Sequence, residues 1–144
     1  MCGIAGFLGP WQESLAMAMA SGEAHRGPDA IGIWADKDFP AILSHVRLSI
    51  IDLSEDASQP MQTSDGRFTI VFNGEIFNYL SLREELTSSG EVFRTKSDTE
   101  VLLKLFARDG IDCLNRLRGI FAFAVWDTQK RELFLARDHI GVKP

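Results

Sequence analysis

The chain has 144 residues, 45% of them hydrophobic and 24% charged, with 15 Lys and Arg against 20 Asp and Glu for a net charge of −5. That is one domain's worth of chain, long enough to bury roughly two thirds of its unfolded surface without disulfides or a metal. The acidic balance leaves no basic footprint for nucleic acid and no polybasic membrane tail, and no apolar run approaches the ~20 residues of a membrane span.

Taken in chain order, Cys2 to Leu8 is short and apolar and predicts a strand. No basic-then-apolar leader precedes it, and Gly9-Pro10 breaks the apolar stretch, so no signal peptide is expected. Ser14 to His25 carries Leu15, Ala18 and Met19 at helical spacing. Arg26-Gly27-Pro28-Asp29 is a loop, because Pro28 pushes Gly27 out of helix. Ile31 to Ala35 and Ala41 to Val46 predict strands around the Asp36-Lys37-Asp38 turn, and the polar Asp52 to Pro60 predicts a surface loop. Asp65-Gly66 is a hairpin signal ahead of the strand Phe68 to Phe72. Tyr79, Leu82 and Leu86 make a helical stripe that stops at Gly90. A second helix carries Val101, Leu102, Leu105 and Phe106. It starts at the capping box Ser97-Asp98-Thr99-Glu100, with Ser97 as N-cap and Glu100 reaching back, and stops at Gly110. The strands Ile120 to Trp126 and Glu132 to Ala136 close the chain.

The last two strands, like Phe68 to Phe72, are apolar on both faces, so each sheet face must be covered by another layer. Strands packed on strands with helices outside satisfy that pattern: an α+β layered sandwich. The two cysteines, Cys2 and Cys113, stand far apart, which fits a reducing, cytoplasmic setting. Cys113, among Ile111, Leu114 and Leu117, reads as a small core residue. No zinc-type cysteine or histidine spacing occurs, so no metal is expected.

Chemistry points first to Cys2. Methionine removal before a small second residue leaves a thiol and a free α-amine on one residue. That amine, with a pKa of about 7.7–8.0, can accept the thiol proton without a histidine. If Met1 stays attached, the amine belongs to methionine and the device is lost. By itself Cys2 reads more readily as an inert cysteine at a strand start.

Met1-Cys2-Gly3-Ile4-Ala5-Gly6-Phe7 resembles the N-terminus of class II glutamine amidotransferases, members of the N-terminal nucleophile hydrolases. His25-Arg26-Gly27-Pro28-Asp29, Arg47-Leu48-Ser49-Ile50, Asn73-Gly74-Glu75-Ile76, Ser97-Asp98 and Arg137-Asp138 follow in that family's order, over essentially the whole chain. The His-Arg-Gly-Pro-Asp form is similar to the glutaminase domain of glutamine-hydrolysing asparagine synthetases. The resemblance implies a four-layer αββα sandwich of two stacked antiparallel sheets between helices. It also implies that residues 1–144 are a glutaminase domain cut short at its C-terminus, after Gly141-Val142-Lys143-Pro144, with the synthetase domain absent.

The same resemblance assigns roles. Cys2 would attack the side-chain amide of L-glutamine, release ammonia through a γ-glutamyl thioester, and be freed by water. The Asn73 side chain and the Gly74 N–H would hold the oxyanion. Arg47 would bind the α-carboxylate, and Asp98, with Glu75 nearby, the α-ammonium. Backbone groups of Leu48, Ser49, Ile50 and Ile51 would line the pocket. Asn73-Gly74 alone could be a hairpin turn, but Glu75 and Ile76 are expected to continue into a helix. Arg26 would order the loop beside the nucleophile. His25, His45 and His139 have no acid pattern near them and read as structural or solvent-facing. Phe77 stands where the family often has tyrosine.

No cofactor is expected in this chain; ATP and magnesium belong to the missing synthetase domain. That domain and L-glutamine are the expected partners, a homodimer is compatible, and neither nucleic acid nor membrane is expected. The ammonia would serve asparagine synthesis from aspartate. A glutaminase module for a sugar or peptide acceptor, a cysteine hydrolase using one of the three histidines, and a degenerate glutamine-binding domain are the alternatives.

Overall fold

A computed structural model describes residues 2–10, 13–48, 52 and 54–143 of the chain. Strands β1 (Gly3–Leu8), β2 (Ala30–Ala35) and β3 (Ala41–Arg47) form an antiparallel sheet in the order β1-β3-β2. Strands β4 (Met61–Gln62), β5 (Phe68–Ile76), β6 (Gly119–Asp127) and β7 (Glu132–Arg137) form a second, in the order β4-β5-β6-β7. Helix α1 (Glu13–Gly22) covers the outer face of the first sheet, with Ala16 and Ala20 buried one helical turn apart. Helices α2 (Tyr79–Ser88) and α3 (Asp98–Asp109) cover the outer face of the second. The layers run αββα, as expected.

Strand alternation divides the second sheet's side chains between two cores. Ile70, Phe72, Ile76, Phe121, Phe123 and Val125 pack under Leu82, Leu86, Val101, Leu102, Leu105 and Phe106 of the helices. Cys113 is buried in this core, as read from its neighbours. The other face meets the first sheet in a smaller core of Ala41, Leu43, Val71, Ala124 and Trp126. Phe39 stacks on Trp126, with ring centroids 5.3 Å apart, and the Trp126 indole N–H donates to Asp36 Oδ2 at 2.7 Å.

Five local expectations are corrected. Helix α1 stops at Gly22, a poor helix former, and a separate 3-10 turn spans Ala24–Arg26. β5 does not give way to helix at Glu75: it stays paired with β6 through Ile76↔Gly119, and α2 starts at Tyr79. Gly74 makes that pairing possible, since a Cβ there would overlap the Ile120 carbonyl oxygen. The capping box is half formed. Ser97 Oγ accepts from the Glu100 N–H at 3.3 Å, but Thr95 Oγ1 takes the Ser97 N–H. The Glu100 carboxylate accordingly turns to the N–H groups of Arg94 and Thr95. The stretch from Asp52 to Pro60 is not simply surface, because Ala57 and Gln59 are buried. Finally, β7 is an edge strand, and Leu135 is 68% exposed despite the strand's apolar sequence.

After β7 the Asp138 carboxylate accepts the N–H groups of Phe121, Ile140, Val142 and Lys143 at 2.9–3.3 Å. This turn folds the chain back and buries Lys143. Among the described residues, no helix is long and apolar enough to cross a membrane.

Candidate active site

The inter-sheet core ends where each central strand turns polar. On β3, Leu43 is followed on the same face by His45 and Arg47; on β5, Val71 is followed by Asn73. Beyond this point the sheets enclose a cavity of about 180 Å³. Cys2, His45, Arg47 and Leu48 line it from the first sheet, Asn73, Gly74 and Glu75 from the second, and Asp98 from the start of α3.

The pairing Gly3↔Val46 sets Cys2 beside Arg47 at the end of β1. The Cys2 sulfur accepts the Leu48 N–H at 3.3 Å and makes a longer contact, 3.6 Å, to the Leu48 carbonyl. Arg26 Nε donates to the Cys2 carbonyl at 3.2 Å.

Backbone geometry explains how Asn73-Gly74 faces the cavity. Phe121 exchanges its N–H and C=O bonds with Asp138, on the β7 side, so the Gly74↔Phe121 pair is a non-bonded pair of the ladder. The N–H groups of Phe72, Gly74 and Ile76 therefore all point away from β6. The Phe72 N–H meets Gln59 Oε1 at 2.6 Å and the Ile76 N–H meets Asp98 Oδ2 at 3.0 Å. The Gly74 N–H, between them, points into the cavity. The Asn73 side chain, on the inter-sheet face, is buried and has no hydrogen-bond partner among the described residues.

Charge is placed at two sides. Arg47 is buried and donates to the Asp52 carbonyl at 2.6 Å, the Ser54 carbonyl at 2.9 Å and Ser58 Oγ at 3.2 Å, so it pins the 52–58 segment as well as lining the cavity. Asp98 is buried as the first residue of α3. Burial pushes its carboxyl above the usual range and the Glu75 charge adds to this, while the Ile76 and Thr99 N–H groups pull it back. A cation beside it would remove that penalty. Glu75 is exposed at the mouth.

Leu48 lies on the cavity wall; Ser49, Ile50 and Ile51, also expected to line the pocket, lie outside the described residues, as does Met1. Phe77 is 61% exposed and away from the cavity lining. His45, read from the sequence as structural or solvent-facing, is buried in the cavity wall. Gln59 and Lys143 also line it and carried no sequence expectation. Gln59 joins β5 to α3 by donating from Nε2 to Thr99 Oγ1 at 3.2 Å. The signals for these lie across sheets or loops, where no local spacing records them. Among the described residues no cluster of His, Cys, Asp or Glu is placed to hold a metal ion.

Comparison with known proteins gives the family and the fold. A family model described as a glutamine amidotransferase domain matches residues 1–144. Asparagine synthetase [glutamine-hydrolyzing] 1 of Bacillus subtilis is 44% identical over 133 residues, covering 92% of this chain and 21% of the relative. Asparagine synthetase [glutamine-hydrolyzing] 3 of the same organism is 41% identical over 151 residues, covering 100% of this chain and 24% of the relative. The chain thus spans about a quarter of the length of the curated relatives it matches. In fold it is similar to the glutamine phosphoribosylpyrophosphate amidotransferase of B. subtilis, with a TM-score of 0.83 at 22% identity over 100% of this chain and 38% of that one. The chain belongs to the glutamine amidotransferase domain family, with the sandwich of the N-terminal nucleophile hydrolases.

Proposed function

We propose that the domain hydrolyses L-glutamine to L-glutamate and ammonia through a thioester on Cys2. The observation that carries this reading is the meeting of a thiol, a buried amide and an inward-pointing N–H in one cavity between the sheets. Once Met1 is removed, the Cys2 α-amine takes the thiol proton and the sulfur attacks the side-chain amide carbon. The carbonyl oxygen becomes an oxyanion, held by Asn73 Nδ2 and the Gly74 N–H. The α-ammonium returns its proton to the leaving nitrogen, the C–N bond breaks, and ammonia departs. Water, deprotonated by the same amine, then attacks the thioester; the C–S bond breaks, the sulfur regains a proton, and glutamate leaves.

Selectivity for free glutamine would come from Arg47 on the α-carboxylate and Asp98, with Glu75, on the α-ammonium. Asp98 suits this role because an ammonium offsets its burial. Leu48 and the residues 49–51 after it would line the same pocket. The test is glutamine hydrolysis by protein that begins at Cys2. An uncleaved N-terminal extension should abolish turnover, whereas an enzyme using a histidine base would be spared.

We further propose that the ammonia serves ATP-dependent asparagine synthesis from aspartate in a longer protein, since the relatives carry that name. ATP and magnesium would act there and not in this cavity. Full-length protein given glutamine, aspartate and ATP should make asparagine; none formed, with glutamine still hydrolysed, would assign a different acceptor.

A further inference from the structure

His45 stands in the cavity wall. It is 2% exposed, and neither ring nitrogen has a partner among the described residues. Its register explains the burial. Ile4 flanks it on β1 and Gly32 on β2, and the Gln59 carbonyl fills the space that a Gly32 side chain would need. Burial pushes its pKa down to about 4, the nearby Phe72 backbone pulls it partly back, and the Arg47 charge adds a smaller push downward, so the ring is neutral at ordinary pH. A neutral imidazole offers one donor and one acceptor. Neither is met by a hydrogen bond to a described residue.

Asn73 lines the same cavity from the second sheet. His45 and Asn73 are the first polar steps beyond the dry Leu43–Val71 layer, one on each sheet, and both line the same cavity. An asparagine that donates to an oxyanion must be held with its nitrogen toward the reacting oxygen. Its own oxygen therefore needs a donor on the other side. No protein group among the described residues supplies one directly. A cavity of about 180 Å³ has room for a water beside a substrate, and a water needs polar partners such as these.

We infer that His45 is a positioning residue: with Asn73 it holds one water at the cavity floor, and through that water it fixes the Asn73 amide in its donating orientation. This rests on the glutaminase reading of the site. No bond forms or breaks at His45, and the ring stays neutral throughout.

The test is a double-mutant cycle on glutamine hydrolysis. His45→Phe keeps the ring volume and removes both nitrogens. It should lower kcat about 10- to 100-fold with KM changed less than about threefold, and His45→Gln should recover most of the loss. In the Asn73→Ala background, His45→Phe should cost nothing further. Unchanged kcat in a folded His45→Phe protein, a rise in KM alone, or additive losses would each overturn the inference. If Asn73→Ala itself leaves turnover intact, the oxyanion reading has failed instead. Should His45→Phe not fold, a crystal structure of the wild-type protein at water-resolving quality decides: one water within hydrogen-bond distance of both side chains is expected, and a dry floor contradicts it.

Discussion

The two faces of the second sheet show how one sheet divides stability from chemistry. Its helix-side face meets α2 and α3 in a continuous apolar core of 17 buried residues among those described, where Leu86, Leu105 and Ile70 are wholly buried. Its other face meets the first sheet through five buried apolar residues among the described ones, with Ile4, Trp34, Phe39 and Leu133 packed around them, and beyond these β3 and β5 continue as His45, Arg47 and Asn73. The first interface excludes water and has nothing to react. The second stops short of filling itself, and the polar gap is where ligand-sized space and unpaired groups coincide. Stability should therefore be lost by substitutions on the helix side, and turnover by substitutions between the sheets.

The largest effect is expected at Cys2. Cys2→Ala should lower glutamine turnover by at least about 10⁴-fold while the thermal midpoint stays unchanged, measured by ammonia release and by calorimetry. On the opposite face, Leu105→Ala should cost about 2–5 kcal/mol in denaturant unfolding and leave kcat of the folded protein within about twofold. Asn73→Ala should cost about 2.7–4 kcal/mol of transition-state stabilisation, read as a 10²- to 10³-fold fall in kcat, with little loss of folding stability. A large loss of stability at Asn73, or of kcat at Leu105, would break the division.

A pH measurement sharpens it. The folded pKa of His45 lies near 4, below the 6.5 of an exposed imidazole. Between these values the unfolded chain binds a proton that the native protein refuses. Stability should thus fall as pH drops from about 6.5 to about 4, by up to roughly 3 kcal/mol from this group. Arg47, Lys143, Cys2, Asp52, Glu75 and Asp98 line the same cavity. Asp98, with its raised pKa, acts in the opposite sense as pH falls through its own titration. The difference between wild type and His45→Phe isolates the histidine: the variant's stability curve should be flatter over that window. The smallest effect is Ser97→Ala, which removes the N-cap bond of α3 and should cost about 1 kcal/mol.

What the sequence revealed was what is local. Asp65-Gly66 marks the β4–β5 hairpin, Ser97 and Gly110 bracket α3, and Cys2, Arg47, Asn73, Gly74 and Asp98, each singled out in the sequence, line one cavity. The rest depended on distant partners. Nothing in Asn73-Gly74-Glu75 announces a strand, because the reason it stays extended is the close approach of Ile120 on β6. Gln59 looks like a loop polar residue until the Phe72 N–H and Thr99 are seen to need it. His45 lacks any acid neighbour in sequence, and its burial comes from Gly32 and Gln59 on other segments. Leu135 looks like core, yet it lies on an edge strand and is 68% exposed.

The most direct measurement is glutamine hydrolysis, with glutamate and ammonia assayed separately, on protein whose intact mass places Cys2 at the N-terminus. The account predicts glutamate and ammonia in equal amounts, and neither from the same protein carrying Cys2→Ala. Hydrolysis that survives Cys2→Ala, or none from the correctly processed protein, would contradict it.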